Sequence, residues 1–408
     1  MLKKILKGAL IGAGLLALTA TAQADVDINI YGASAQYLFW NDAADNMLAA
    51  KGCTAISQAA RTDGKHGITQ GTCPGYGTVR VRYSAKASYD SMYACTGTAL
   101  PASLGTTGCE PNNRQRQMAS SVTTPNTLSC QTVTIGASDV GADIFEGMYS
   151  EGQLNGHLGG GYVTREMPNS LPRPTVLGQP VVVPFAFFVN NTALPSMTNL
   201  THTMAGVIFS GTQSLWSDFA GGSGTGGTAQ YPNKYVIACL RHAGSGTHAT
   251  LKSLMPCNGG YSLASVESAP ILYFYEGSSQ MMRGVYENAG QPTSDFAAIG
   301  YADADQCGDS GLCTSGGGAR MVAYEGAMPT KSNIANCIYK FWAKQQLFDC
   351  ADTPDQDYWL ANLLAFASDA DNMPTGKTAW WPAASEMRCD KATDCSVIVP
   401  TSTSGWGF

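Results

Sequence analysis

Four times along this chain an apolar, strand-like run stops at small polar residues where a helix could begin, and no other feature restricts the fold as much. Val26-Asp27-Ile28-Asn29-Ile30-Tyr31 alternates apolar and polar side chains as a strand does. It stops at Gly32-Ala33-Ser34-Ala35, and residues 36–50, with Tyr37, Leu38, Phe39 and Trp40, read as a helix. Thr78-Val79-Arg80-Val81-Arg82-Tyr83 runs into Ser84-Ala85-Lys86-Ala87-Ser88, and Thr132-Val133-Thr134-Ile135 into Gly136-Ala137-Ser138-Asp139. Tyr235-Val236-Ile237-Ala238-Cys239-Leu240 then delivers Arg241 to a glycine-rich turn. The alternation predicts an α/β fold whose ligands gather beyond the carboxyl ends of the strands.

Between the second and third strands, residues 96–128 are polar and lack a helical period. With Cys95, Cys109 and Cys130 they read as a disulfide-tied surface insertion spanning about 95–130, decoration more than function. The run 181–189 is a buried strand, taken as the crossing into a second lobe. Short helical pieces are expected at 201–209 and 215–219. The glycine-rich 221–228 lacks the Lys-Ser/Thr ending of a phosphate-cradling loop and reads as a flexible connection. Residues 297–301 are expected to return the chain to the first lobe. Ile338, Phe341, Trp342 and Leu347 recur at near-helical spacing and predict an amphipathic helix over 334–347, with another at 357–367. The expected division is a leader (1–24), a first lobe (25–185), a second lobe (186–298) and a return to the first lobe (299–408), with enough chain for a core in each.

Lys3, Lys4 and Lys7, an apolar stretch over 9–18 and the small-x-small run Ala22-Gln23-Ala24 make an export leader, which places the mature start at Asp25 and the protein in the periplasm or outside the cell. That stretch is shorter than the ~20 apolar residues of a membrane span. No cysteine follows the cut to carry a lipid. Thirteen cysteines suit an oxidising compartment. Cys307/Cys313 and Cys389/Cys395 read as short disulfide loops, with Cys239/Cys257 and Cys337/Cys350 as further candidate pairs, and spacing leaves the connectivity open. The odd count leaves one thiol free or bonded to another chain, so a monomer is expected with a disulfide-linked multimer as the alternative. The formal charge of −6 becomes about −9 without the three leader lysines. Such acidity argues against general nucleic-acid binding.

The sharpest chemical signal is the turn from Arg241 through His242-Ala243-Gly244-Ser245-Gly246-Thr247. Glycines let backbone approach a ligand closely, and free N–H groups at a helix start point at an anion. Ser245 and Thr247 add hydroxyl donors, and the guanidinium fork of Arg241 suits a tetrahedral oxyanion. Alone, a Gly-Ser-Gly-Thr run is more often an ordinary turn. In company with the other loops it resembles the phosphate-binding component of bacterial ABC importers, a type 2 periplasmic binding protein. Gly32-Ala33-Ser34-Ala35-Gln36-Tyr37 resembles that family's first anion loop, Tyr83 to Ser88 its second, and Thr134-Ile135-Gly136-Ala137-Ser138-Asp139 its Asp-Phe-Gly-Ala-Ser-Asp pattern. Arg241 with Gly244-Ser245-Gly246-Thr247 is similar to its Arg-x-x-Gly-Ser-Gly-Thr signature. Val207-Ile208-Phe209-Ser210-Gly211 with Trp216-Ser217-Asp218, and Ala298-Ile299-Gly300-Tyr301, resemble family segments outside the site.

The resemblance implies a two-lobed α/β fold, each lobe a mixed sheet flanked by helices, with the ligand in the interlobe cleft. It implies capture of inorganic phosphate or a related oxyanion for an ABC-type permease, with no cofactor, metal or catalytic residue. The ligand-binding residues would be Ala35, Gln36, Tyr37, Ser88, Asp139, Arg241, Ser245, Gly246 and Thr247. Asp139 would select, because a carboxylate only accepts: it welcomes the hydroxyl of hydrogen phosphate and repels fully ionised sulfate. Its alternative role is an N-cap on the following helix. Two departures bear on the anion's identity. Gln36 stands where the family has a hydroxyl residue. Ala243 stands where it has an aspartate beside the arginine, which would leave Arg241 less constrained and the pocket more positive.

Other features read as structural. The five histidines show no metal-ligand spacing, and His242 reads as a surface residue, with pH-sensitive binding as the alternative. Asp303, Asp305 and Asp309 read as solvated turn acids, lacking a full calcium-loop pattern. Trp380 and Trp381 fit either a core or an exposed contact. The competing functions are a phosphatase-like enzyme on the same fold, and a surface or structural protein that lost transport.

Overall fold

The computed structural model describes residues 24–145, 152–157, 170–219, 231–254, 271–307, 311–314, 317–391 and 398–400. The leader up to residue 23, the glycine-rich 221–228, Cys257, Asp309 and Cys395 lie outside these described residues.

The strands, in chain order, are β1 (Val26–Gly32), β2 (Thr54–Ala60), β3 (His66–Thr72), β4 (Thr78–Ala85), β5 (Gln115–Ala119), β6 (Leu128–Thr132), β7 (Ile135–Ser138), β8 (Gly156–His157) and β9 (Val176–Gly178). They continue with β10 (Val182–Asn190), β11 (Asn199–Leu200), β12 (Tyr235–Arg241), β13 (Ile271–Tyr275), β14 (Phe296–Asp303), β15 (Cys313–Thr314), β16 (Gly317–Tyr324), β17 (Trp342–Lys344) and β18 (Gln346–Asp349). Two mixed sheets result. The first runs β2-β3-β4-β1-β7-β18-β9, the second β11-β16-β10-β14-β12-β13-β8, with β15 on β16 and β17 on β10. Around them pack α1 (Tyr37–Ala50), α2 (Ser88–Thr96), α3 (His202–Phe209), α4 (Gly246–Leu254), α5 (Ser278–Tyr286), α6 (Lys331–Ala335) and α7 (Pro354–Ser368).

Register sets up the site. β1 lies between β4 and β7, parallel to both, with Gly32 level with Ala85 and Ala137. Three loops, opening at Ala33, Lys86 and Asp139, therefore leave the first sheet at one edge. In the second sheet β12 is parallel to both β13 and β14, and Arg241 pairs with Tyr275. The ends of β12, β13 and β14 again share an edge.

Burial explains why these segments became strands. All nine residues of β10 are buried, and Phe187 stacks on Phe209 and Phe341 at 5.7 and 4.8 Å between ring centres. Each such side chain contributes about 2 kcal/mol by leaving water. On α1, Phe39, Trp40, Ala43, Ala44, Met47 and Leu48 form the buried stripe, and Phe39 stacks on Trp381. Trp381 is core; Trp380 is half-buried.

Several expectations change. Residues 297–301 do not return the chain to the first sheet, because β14 is central in the second. The chain stays there through β16 and β17 and rejoins the first sheet only at β18, so the expected boundary near 298 falls inside a sheet. The helix expected over 334–347 is limited to α6; Cys337 takes a left-handed φ of 63°, which ends the helix, and Trp342 and Leu347 fall on strands.

The 95–130 insertion is anchored rather than loose. Arg116, fully buried in β5, donates from Nε to Asp90 Oδ1 of α2 at 2.8 Å, and Arg82 Nε donates to the Ala119 carbonyl at 3.0 Å. Removing one partner of such a buried pair costs about 3–5 kcal/mol.

Among the described residues, disulfides join Cys53–Cys73, Cys95–Cys350, Cys109–Cys130, Cys307–Cys313 and Cys337–Cys389. Only Cys307–Cys313 agrees with the expected pairs. Cys389 and Cys350 take distant partners, and Cys239 is a free thiol buried in β12, pushed up to about 12 by burial. A bond from Cys239 to another chain would require opening β12, an interior strand of the second sheet.

Candidate functional site

Each functional loop begins where a parallel strand ends. Beyond β1 a short 3-10 turn, Ser34–Gln36, leads into α1. β4 leads to Ser88 at the start of α2, β7 to Asp139, β12 through Arg241 to Gly246 at the start of α4, and β13 through Glu276 and Gly277 to Ser278 at the start of α5.

The two edges meet. Gln36 Nε2 donates to the Ser138 carbonyl at 2.7 Å and to Asp139 Oδ1 at 3.1 Å. The Asp139 backbone N–H donates to Ser88 Oγ at 3.1 Å. From the second sheet, Thr247 Oγ1 donates to Asp139 Oδ2 at 3.3 Å, and the Gly244 carbonyl accepts from Tyr89 N–H at 3.2 Å. Arg241 spans the junction: Nη2 donates to Ser34 Oγ at 3.0 Å and to the Glu276 carbonyl at 2.9 Å, while Nη1 donates to Ser278 Oγ at 2.9 Å. All nine residues expected from sequence are buried. Gln36, Ser88, Asp139 and Thr247 form one hydrogen-bonded cluster, and Arg241 joins it through Ser34, two residues before Gln36. Ala35 lies in the 3-10 turn. Tyr37 sits edge-on to Tyr83, whose hydroxyl donates to the Ala33 carbonyl. Ser245 Oγ accepts from His248 N–H at 3.4 Å, an N-terminal cap on α4.

Two glycines make the contact possible. A Cβ on Gly246 would lie 2.3 Å from Ser88 Oγ and 2.8 Å from Asp139 Cβ. One on Gly244, where φ is +83°, would lie 1.6 Å from a Tyr89 ring carbon. The helix turn of the second half therefore presses its bare backbone against the loops of the first.

Burial raises the Asp139 carboxyl to about 6, against the opposing influence of Gln36, Arg241 and Thr247. Near pH 7 it remains ionised, an acceptor only. Burial pushes the Arg241 guanidinium down from its ordinary value, and Asp303 is the charge that opposes this most. The expectation of a loosely held, uncompensated arginine is therefore corrected. Four side-chain and backbone oxygens, of Ser34, Ser278, Glu276 and Tyr275, fix the fork, and Asp303 at the end of β14 is the charge that most favours its ionised form. Nor are Asp303 and Asp305 solvated turn acids, since both are buried. Asp303 Oδ2 accepts from Gln306 at 2.7 Å, and Asp305 Oδ2 accepts from Lys377 and, at 3.1 Å, from Trp381 Nε1. Burial and the Asp303 charge push Asp305 up to about 7.

His242 is buried rather than on the surface, and both ring nitrogens are without hydrogen-bond partners. Burial, then the Arg241 charge, pushes it down to about 3. It stays neutral across the physiological range, which removes it as a pH sensor there.

Sequence reasoning missed Ser34, Ser278 and Tyr301; the last accepts from Arg241 N–H at 3.0 Å and meets His248 Nδ1 at 2.6 Å. Ser34 lay inside the first loop already singled out. Ser278 follows the same strand, small residues, helix pattern as the other loops, at Tyr275-Glu276-Gly277-Ser278.

No family model matches this chain, and no curated protein sequence does. Among solved structures it is similar to an ABC-type phosphate transport receptor from Vibrio cholerae, at 16% identity over 83% of this chain and 93% of that one, with a TM-score of 0.41. It is similar to PstS from Borrelia burgdorferi at 10% identity, over 86% and 97% of the two chains, with a TM-score of 0.39. A possible phosphate binding protein from Planctomyces limnophilus matches at 10% identity, over 84% and 88%, with a TM-score of 0.35. At these identities and scores the likeness assigns no ligand.

Proposed function

We propose that this chain is an exported solute-binding protein that captures inorganic phosphate, or a closely related oxyanion, between two lobes and hands it to an ABC-type permease. One observation carries the reading. Two separate sheets deliver the carboxyl ends of their parallel strands to one buried cluster, where a guanidinium, hydroxyls, an amide and a lone carboxylate lie within a few bonds of one another. That donor set suits a tetrahedral oxyanion better than any other small ligand.

In this reading Arg241 supplies charge-assisted bonds, while Ser88, Ser245 and Thr247 donate hydroxyl hydrogens. N–H groups around Ala35, Gln36, Tyr37 and Gly246 complete the cage. Asp139 takes the hydroxyl proton of hydrogen phosphate, and sulfate meets it with an unpaired acceptor; a site built on one such hydrogen bond discriminates by up to about 10⁴. Bonds from Thr247 to Asp139 and from Arg241 to Ser34 join the halves, so ligand capture and lobe closure use the same groups. Export to the periplasm or cell exterior is the reading of the leader-like residues 3–24, and the five disulfides among the described residues suit it.

Calorimetric titration with phosphate, arsenate and sulfate tests the reading. One site per chain with phosphate preferred over sulfate is expected. No heat with any oxyanion would end it, and steady release of phosphate from an ester would replace binding with catalysis.

A further inference from the structure

Resting on that oxyanion reading, we infer that the ligand is a phosphate monoester of a short polyol, with its phosphoryl group at Arg241 and its hydroxylated tail in a cavity alongside. The cavity, of about 270 Å³, lies between loops of the first sheet and the β13–α5 turn of the second. Ser34 and Ser278 line it, and their hydroxyls accept from the two terminal nitrogens of Arg241. Ser34 also shares its 3-10 turn with Gln36, the residue that holds Asp139. A tetrahedral head bonded to Arg241 and facing Asp139 thus has this cavity as the space continuing from it.

Size and chemistry narrow the tail. At ~30 Å³ for each water, the volume equals about nine waters, far more than a bare oxyanion fills. It falls just below the ~300 Å³ at which drug-sized pockets begin, a size that suits a short tail. The walls mix polar and apolar surface. Thr62, Ser279 and Gln306 offer hydroxyls and an amide, and Asp63 and Glu276 offer carboxylates that only accept. Tyr37, Leu38 and Ala85 add apolar surface, and Lys65 and Lys86 add ammonium groups. A chain of hydroxyls both donates and accepts and so can add to the bonds these groups already make, as Gln306 does to Asp303 and Glu276 to Lys86, where an aliphatic or aromatic tail would only take their water away.

The outer wall is itself a junction between the sheets. Lys86, beyond β4, pairs with Glu276, beyond β13, and Lys65 lies 3.6 Å from the same carboxylate. Burial pushes Glu276 up, but the two lysines outweigh it and hold the carboxyl at about 2. Closing this pair covers the tail while Arg241 holds the head.

The test is calorimetry of the full chain with glycerol 3-phosphate and with inorganic phosphate, repeated on Ser279→Trp. Ser279 is exposed on the rim of the cavity and lies outside the oxyanion cluster. The ester is expected to bind at least about tenfold more tightly than inorganic phosphate, and Ser279→Trp to erase that advantage while leaving inorganic phosphate within about twofold. Retained phosphate binding also reports that the variant is folded. A wild-type chain that prefers inorganic phosphate, or a variant that keeps the ester's advantage, would overturn the inference and leave the oxyanion reading standing. No binding of either would overturn both.

Discussion

Replacing Gly246 with alanine adds one methyl group at the place where the two halves of the site touch. Gly246 opens α4 outside the left-handed region of φ, so alanine suits the local backbone and leaves the second sheet's own stability intact. The added Cβ would lie 2.3 Å from Ser88 Oγ and 2.8 Å from Asp139 Cβ. Turning Ser88 to another rotamer removes the first clash and not the second. Restoring an ordinary carbon contact of ~3.5 Å requires the halves to part by about 1 Å. The Thr247 to Asp139 bond, already 3.3 Å long, does not survive that separation. A hydrogen bond to a charged group contributes about 1.5–3 kcal/mol, so phosphate affinity should fall on the order of 10- to 100-fold. Calorimetry measures the loss, and thermal melting of the unliganded chain should show little change. Affinity within about threefold of wild type, at an unchanged melting temperature, would refute the claim that these halves meet in the bound state. Gly244→Ala makes the contrast: with φ at +83° and a ring carbon 1.6 Å away, it should lose both binding and stability.

Arg241→Ala should abolish oxyanion binding, and Arg241→Lys should not restore it, because an ammonium cannot hold Ser34, Ser278 and the Glu276 carbonyl in one plane; titration of both variants checks this. Asp139→Asn should relax the preference for phosphate over sulfate. With the carboxyl raised to about 6, discrimination in the wild type should hold above that pH and fall below it, as the protonated group becomes able to donate. Affinities for both anions at pH 7.5 and pH 5 measure the change, and a constant ratio would remove Asp139 as the selector. Peptide mapping without reduction should recover Cys95–Cys350 and Cys337–Cys389, and Cys350→Ser should lower stability by about 2–4 kcal/mol in denaturant melts.

The loops of the site could be read from sequence because each is local: a strand end, a few small residues and a helix start lie within ten residues, and their physics needs no distant partner. What escaped was set by residues far apart in the chain. Asp303 was read as a solvated turn acid because it lacks a full calcium-loop pattern, yet it lies buried at the end of a central strand, where its charge favours that of Arg241 on β12. Asp305 is buried against Lys377 and Trp381. The false helix over 334–347 has the same origin. Its apolar residues fall at helical spacing, but both that period and a strand fit a stretch buried on most sides, and the left-handed backbone at Cys337 decides against the helix. The disulfides follow suit, for Cys350 meets Cys95 only because β18 rejoins the first sheet beside β7.

That rejoining has a consequence for how the protein is made. Every strand of the second sheet is present once residue 344 has emerged, whereas the first still awaits Gln346–Asp349. A polypeptide appearing from its amino terminus, at a ribosome or an export channel, therefore has most of its anion loops synthesised early and held unfinished until nearly the last of its length arrives. Truncation after Gln345 would remove the strand that completes the layer translated first.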